Sequence, residues 1–233
     1  MMNGKNWNGW GVSETGPLHI KENLPNQDSF IVKKFCWGIV GVVCDGLGSK
    51  QYSHIGSKAL VDAIVKTAQL FDFEKEIELF EPLLKSLWDI NISPYTENET
   101  STTLLFCIVK NKKIYIGRVG DGAIVAFGKN SLLLEEDKNN FTNYTIPFGR
   151  SQKIQWYIFK DSEIDSIVMC SDGISEDLKK DKLLDFFQNY IENYKDIQSN
   201  KRVYEIKQWL KNWPVRGHSD DKTIVALVKE TNE

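Results

Sequence analysis

Several apolar stretches of this 233-residue sequence begin or end at an aspartate. The aspartates concerned are Asp28, Asp45, Asp121, Asp172 and Asp220. A carboxylate at the mouth of a buried strand is costly unless a cation pairs with it. If these strand ends converge, the carboxylates repel one another until a divalent metal neutralises them, and oxygen ligands of this kind suit Mg²⁺ or Mn²⁺. The pattern therefore predicts a divalent-metal site formed by carboxylates.

The stretch around Asp45 shows the pattern most fully. Trp37 to Cys44 is an apolar run rich in Val and Ile, which is typical of a strand buried on both faces. Gly46 and Gly48 follow the aspartate and allow the backbone to bend tightly, and a helix is predicted to begin near Tyr52. An ordinary strand–turn–helix with an aspartate cap explains this stretch equally well by itself, so the repetition of the pattern carries the prediction.

The hydrophobic periodicity of the whole chain predicts strands clustered among paired helices, which is an α+β fold. Strands are predicted at Trp7 to Glu14, Phe30 to Lys34, Phe35 to Asp45, Thr102 to Val109, Lys113 to Val119, Ala123 to Phe127, Gln155 to Phe159, Ile164 to Cys170 and Thr223 to Val228. Helices are predicted at Tyr52 to Phe71, Glu74 to Ile90, Glu176 to Tyr194 and Arg202 to Trp213. Pro82 should break or restart the second helix, and Glu135 to Lys153 is predicted to be a loop or flap.

The bulk composition limits the classes of protein that need to be considered. A net charge of −3 gives no electrostatic reason to expect nucleic-acid binding. The longest apolar runs are far shorter than the ~20 residues of a membrane helix, and the first residues lack the apolar core of a signal peptide. We expect one domain over residues 1–233. Four cysteines without metal-ligand spacing predict buried free thiols and a reducing cytoplasm: Cys36, Cys44, Cys107 and Cys170.

The order of the motifs resembles that of a known enzyme family. The motifs are Gln27-Asp28, Asp45-Gly46-x-Gly48, Ser101-Thr102-Thr103, Val119-Gly120-Asp121, Ser171-Asp172-Gly173 and Asp220-Asp221-x-Thr223. Together they resemble the metal-dependent protein Ser/Thr phosphatases of type 2C, over roughly residues 10 to 229. The opening Gly16-Pro17-Leu18-His19 and Pro25-Asn26-Gln27-Asp28 is similar to a short bacterial branch. The resemblance implies two stacked antiparallel β-sheets with helices on both outer faces.

The resemblance also implies roles for individual residues. Asp45 would bridge two Mn²⁺ or Mg²⁺ ions, and the attacking species would be a hydroxide that bridges the metals, with no covalent phosphoenzyme. Asp172 and Asp121 would bind a third and weaker ion. The full metal set implied in this way is Asp28, Asp45, Gly46 (through its carbonyl), Asp121, Asp172 and Asp220. The simpler alternatives are a strand-end cap for Asp28 and a plain turn residue for Asp121.

Two positions depart from the family pattern. Gln27 stands where animal members have Glu, and an amide supplies no charge. Many members have an Arg shortly before this motif, whereas this chain has His19. His19 is our candidate for phosphate contact or leaving-group protonation, beside Asp45 and Asp172 as catalytic residues, because an imidazole pKa of about 6.5 suits proton transfer. A structural histidine is the alternative, and Asp221 is interpreted as a cap or outer support of the site.

Three functions are compatible with these residues. The first is a phosphatase acting on phosphoserine or phosphothreonine in proteins, the targets of a Ser/Thr kinase, as a cytoplasmic, monomeric signalling enzyme. The second is a pseudo-phosphatase that binds a phosphopeptide or partner without turnover, for which Gln27 and the missing Arg are the motive. The third is a metal-dependent hydrolase of small phosphate esters, because the same metal core would serve it.

Overall fold

The computed structural model describes residues 6–134, 145–149 and 153–230. Within them, ten strands are formed: β1 (Trp7–Glu14), β2 (Asp28–Phe35), β3 (Gly38–Asp45), β4 (Leu104–Lys110), β5 (Lys113–Val119), β6 (Ala123–Gly128), β7 (Ser131–Leu134), β8 (Gln155–Lys160), β9 (Ile164–Cys170) and β10 (Lys222–Lys229). The α-helices are α1 (Pro17–Glu22), α2 (Ser53–Leu70), α3 (Phe80–Ile92), α4 (Asp172–Ser175), α5 (Leu183–Tyr194) and α6 (Ser199–Lys211).

The strands form two five-stranded sheets, in the orders β1-β10-β9-β6-β7 and β2-β3-β4-β5-β8. All neighbouring strands within each sheet are antiparallel. An apolar layer drawn from both sheets fills the space between them, including Ile39, Ile116, Ile167 and Leu227. The stacked, antiparallel α+β architecture predicted from the sequence is confirmed.

Helices cover the outer face of each sheet. The helices α2 and α3 pack on the second sheet through a cluster that contains Phe80, Trp88 and Phe106. The helices α5 and α6 pack on the first sheet through Phe187 and Ile206. None of the helices in the described ranges is both long and apolar enough to cross a membrane.

Strand pairing brings the predicted aspartates to one end of the stacked sheets. In the β2–β3 pair Asp28 lies opposite Asp45. In the other sheet Cys170, the last residue of β9, pairs with Ile224 of β10 and Ala123 of β6. Asp172 follows Cys170 by two positions, Asp121 precedes Ala123 by two, and Asp220 precedes Ile224 by four. The strand register therefore places these three aspartates at the same end of the first sheet.

The structure corrects the predicted burial of Cys36 and shows how Pro82 is accommodated. The turn between β2 and β3 contains Cys36, which is exposed, so the prediction of a buried thiol is wrong for this cysteine and correct for the other three. Pro82 lies in the first turn of α3, where a missing N–H costs nothing, and residues 77–79 form a separate 3₁₀ turn.

The predicted helix over 176–194 is also wrong in its first half. The short helix α4 and a 3₁₀ turn at Lys180–Lys182 precede α5, because the sequence there is polar and only residues from Leu183 onward present an apolar stripe. Helix α1 and strand β7 were not predicted. Most of the predicted flap lies outside the described residues.

Candidate active site

The aspartates line a shared cavity at the end of the two sheets. Its volume is about 220 Å³. The acidic side chains in its wall are Asp45, Asp121, Asp172 and Asp220, and the other lining residues are His19, Gln27, Gly46, Leu47, Gly48, Thr103 and Thr145. Of these lining residues, only His19 carries a basic group. Asp28 does not line the cavity but lies directly behind it, opposite Asp45.

The backbone of Asp45 is fixed by two threonines that precede β4. The Asp45 N–H donates to Thr103 Oγ1 at 3.0 Å. The Asp45 carbonyl accepts from the Thr103 N–H at 2.8 Å and from the Thr102 hydroxyl at 2.8 Å. A β-carbon at the next residue, Gly46, would lie 2.8 Å from Ser53 at the start of α2. Glycine is therefore required there because the helix approaches so closely.

Asp28 is a buried carboxyl with an incomplete set of partners. Its Oδ2 accepts a hydrogen bond from the Ser171 hydroxyl at 2.7 Å. Its Oδ1 is buried and has no hydrogen-bond partner among the described residues. Burial raises the pKa of Asp28 from 3.8 to about 7, and the charges of Asp221 and Asp172 add to the rise.

Asp45 and Asp172 both line the cavity, and each carboxyl group affects the pKa of the other. Burial, followed by the nearby charges of Asp28 and Asp172, raises the pKa of Asp45 well above its usual range. Burial raises the pKa of Asp172 to about 6, with further contributions from Asp121 and Asp220. Without a cation the cavity therefore holds protons that these carboxyls would ordinarily release.

Asp121 lies in the turn between β5 and β6. The Thr145 hydroxyl donates a hydrogen bond to Asp121 Oδ2. Arg118, which is buried, donates to the carbonyls of Gly120 at 2.8 Å and Gly122 at 3.3 Å. The same guanidinium donates to the Leu134 carbonyl in β7 at 2.6 Å. Arg118 therefore fixes the turn that presents Asp121 to the cavity.

His19 lies in α1 and reaches the cavity from the first sheet's side. Its Nδ1 is 2.9 Å from Oδ2 of Asp221, which is only 1 % exposed. Gly16, at the start of this segment, is packed against the chain near Asp220: a β-carbon there would lie 2.3 Å from the Asp220 carbonyl carbon. The close packing of these two segments brings the imidazole beside the carboxylates.

The family model described as Protein phosphatase 2C matches residues 15–213 of the chain. The chain belongs to the protein phosphatase 2C family. Membership identifies it as a hydrolase of the protein serine/threonine phosphatase kind. A search of curated protein sequences found no match.

Solved bacterial structures share the fold. The serine/threonine phosphatase Stp1 from Staphylococcus aureus is 15% identical, with a TM-score of 0.69 over 99% of this chain and 98% of that chain. The catalytic domain of the phosphatase PstP, in complex with two manganese ions, is 15% identical, with a TM-score of 0.66 over 95% and 97%. RsbX in complex with magnesium is 15% identical, with a TM-score of 0.62 over 98% of both chains.

The donor set of this family member fits a hard divalent cation. The described residues contain no preformed cluster of three or more His, Cys, Asp or Glu side chains in a metal-binding arrangement. However, Oδ1 of Asp28 and Oδ1 of Asp172 are buried without hydrogen-bond partners in that part of the chain. Unpartnered buried carboxylate oxygens are costly, and carboxylates are the ligands that Mg²⁺ and Mn²⁺ prefer.

Sequence reasoning identified the residues that come together and missed some that support them. The structure brings Asp45, Gly46, Asp121, Asp172 and Asp220 to one cavity. It was not foreseen that Thr145 would line the cavity, because the polar stretch around it carries no periodic signal. The contacts of Arg118 were also missed, since an arginine within a strand gives no indication of the carbonyls it will meet.

Proposed function

We propose that this phosphatase-family protein is a metal-dependent enzyme that hydrolyses phosphoserine and phosphothreonine in proteins. The observation that carries the proposal is the single cavity lined by four aspartates and one histidine. Phosphate monoesters hydrolyse extremely slowly without a catalyst. A cavity of acids without cations would repel the substrate's own negative charge, so the site makes chemical sense only when it is loaded with metal.

In this proposal these carboxylates would hold two Mn²⁺ or Mg²⁺ ions, and Asp45 would be a ligand of both. The other ligands are Asp172 and Asp220 for one ion, the Gly46 carbonyl for the second, and Asp28 directly or through water. Asp121 and Asp172 hold a third, weaker ion. When bound, the ions would supply hydroxide as the nucleophile at neutral pH and would neutralise charge on the phosphoryl oxygens.

The protein's own groups do the remaining work. The threonine pair that fixes the Asp45 backbone keeps this carboxylate in place. The Ser171 hydroxyl holds the carboxyl of Asp28, the residue that pairs with Asp45 across β2 and β3. His19 donates a proton to the departing seryl or threonyl oxygen, since it is the basic side chain of the described cavity wall.

We further propose that the chain is one domain over residues 1–233 and acts as a monomer in cytoplasmic signalling. Its substrates are phosphoproteins made by a Ser/Thr kinase. The lining of the described cavity, four aspartates and one histidine, is compatible with a phosphorylated side chain of a protein substrate. Neither nucleic acid nor membrane is expected as a partner.

The test is hydrolysis of p-nitrophenyl phosphate and a phosphothreonine peptide with Mn²⁺, Mg²⁺ or EDTA. Wild type is compared with Asp45→Asn and with Asp89→Asn, an exposed aspartate on α3 that pairs with Lys85. We expect metal-dependent turnover that falls by about 100-fold or more in Asp45→Asn and is unchanged in Asp89→Asn. A folded wild-type protein that hydrolyses neither substrate with any metal would favour the pseudo-phosphatase that only binds a phosphopeptide or partner. Hydrolysis of p-nitrophenyl phosphate but not of the phosphothreonine peptide would favour a hydrolase of small phosphate esters.

A further inference from the structure

The carboxylate of Asp221 joins three parts of the segment that precedes β2. Its Oδ1 accepts the Gly16 N–H at 2.7 Å. Its Oδ2 accepts the Gln27 N–H at 2.6 Å and contacts Nδ1 of His19 at 2.9 Å. The side chain is 1 % exposed, and each of these partners lies more than 190 positions away in the sequence. Asp221 is therefore the tie between the last motif of the chain and the first.

These contacts decide which nitrogen of His19 carries the proton. Two backbone N–H groups already point at the carboxylate, so it is held as an acceptor. Nδ1 of His19 must then be the donor, because a carboxylate that accepts two N–H groups has no proton to give to the ring. In the neutral imidazole Nε2 is the acceptor, and in the imidazolium it is a second donor. His19 lines the cavity of aspartates, so Nε2 is the nitrogen left to face it.

We propose that Asp221 is the positioning residue for His19, holding the ring in the Nδ1–H form so that Nε2 meets the phosphorylated substrate. Asp220, the preceding residue, faces the cavity while Asp221 faces away from it. In this adjacent pair, Asp220 contributes its carboxylate to the cavity and Asp221 holds the ring of His19. In the reaction, Nε2–H of the imidazolium gives its proton to the seryl oxygen as the P–O bond breaks. The ring returns to the neutral Nδ1–H form, and solvent restores the proton.

The positioning can be measured without turnover. We would record long-range ¹H–¹⁵N spectra of the histidine rings in metal-free protein at about pH 8.5, above the usual imidazole pKa of about 6.5. His19→Gln assigns the signal among the three histidines. We expect Nδ1–H in wild type and loss of this preference in Asp221→Asn. A neutral wild-type His19 ring with its proton on Nε2 would overturn the proposal, and this result does not require Asp221→Asn to fold.

The catalytic part of this role rests on the proposed function, and the choice of substrate tests it. Phenyl phosphate has a poorer leaving group than p-nitrophenyl phosphate and needs the proton more. We expect Asp221→Asn and His19→Gln each to lower turnover of phenyl phosphate by about 10- to 100-fold, and that of the nitrophenyl ester much less. The double variant should lose no more than His19→Gln alone, because Asp221 acts through the ring.

A matched control separates positioning from simple loss of stability. Asp161 also accepts a hydrogen bond from a ring N–H, that of Trp7 at 2.6 Å, at the far end of the first sheet. Asp161→Asn should leave the ratio of the two substrates unchanged. Equal losses for both substrates in Asp221→Asn, or losses that add in the double variant, would make Asp221 a structural residue only. Wild type without turnover would refute the proposed function and leave the ring spectrum to decide the positioning.

Discussion

Asp28 should make the metal-free protein less stable as the pH rises. An unfolded chain releases the Asp28 proton near pH 4, whereas burial holds it in the folded protein to about pH 7. Between these pH values Asp28 is already ionised in the unfolded chain, whereas in the folded protein it stays protonated, because ionisation would leave a negative charge in a buried site. The free energy of unfolding therefore falls as the pH rises through this interval.

The size of this effect follows from the pKa rise. A change from 3.8 to about 7 is roughly 3 units, and each unit corresponds to about 1.4 kcal/mol. The full effect is thus about 4 kcal/mol, of which about 3 kcal/mol falls between about pH 5 and about pH 8. This is an upper figure, because the neighbouring acids of the cavity share the redistribution of protons. It is still large beside a typical stability of about 5–15 kcal/mol.

The assay is urea unfolding of wild type and Asp28→Asn in EDTA across this pH range. Asn has the same shape and no charge, so the stability of wild type relative to the variant should fall by up to about 3 kcal/mol as the pH rises. Taking the difference removes the titration of groups that do not interact with Asp28. A difference that stays flat or grows with pH would refute the reasoning.

Metal should reverse this trend, because a cation stabilises the charged form of the same carboxyls. We expect Mn²⁺ to raise the melting temperature of wild type more at pH 8 than at pH 5. In Asp28→Asn the difference between the two pH values should be smaller. Asp89→Asn, on the exposed face of α3, should behave as wild type at both pH values. Equal stabilisation by Mn²⁺ at both pH values would mean that the ion binds away from these acids.

Three further substitutions, two of them paired with a control variant, test how the site and the fold around it are supported. Thr103→Val leaves the Asp45 N–H without its acceptor and should cost about 1–3 kcal/mol in urea unfolding, whereas Thr103→Ser should cost less. Gly56→Ala places a β-carbon 1.8 Å from a carbonyl oxygen of the adjacent loop and should cost about 1–3 kcal/mol or more, whereas Gly48→Ala, with 3.7 Å to its nearest neighbour, should be close to neutral in the same assay. Arg118→Met removes the donor to three carbonyls and should lower the melting temperature by about 5–10 °C, and an unchanged melting temperature would show that these contacts do not stabilise the fold.

The strands were predictable because their apolar runs are long and the aspartates at their ends are conspicuous. The run before Asp45 is buried along nearly its whole length, as its composition indicated. The two sheets, the helices on their outer faces and the family followed from the order of the motifs. Boundaries failed where short-range preferences were weak, as in the polar stretch before α5 and the exposed turn at Cys36.

The sequence by itself determined the family and the residue types that meet at the site, because residue type decides what a side chain can bind and six motifs occur in one order. It did not determine which nitrogen of His19 faces the cavity or how deeply Asp28 is buried. Those properties depend on contacts between residues more than 100 positions apart, such as His19 with Asp221 and Asp28 with Ser171. Only tertiary packing brings such pairs together, so that burial sets the pKa values of the acids and the contact with Asp221 sets the orientation of His19.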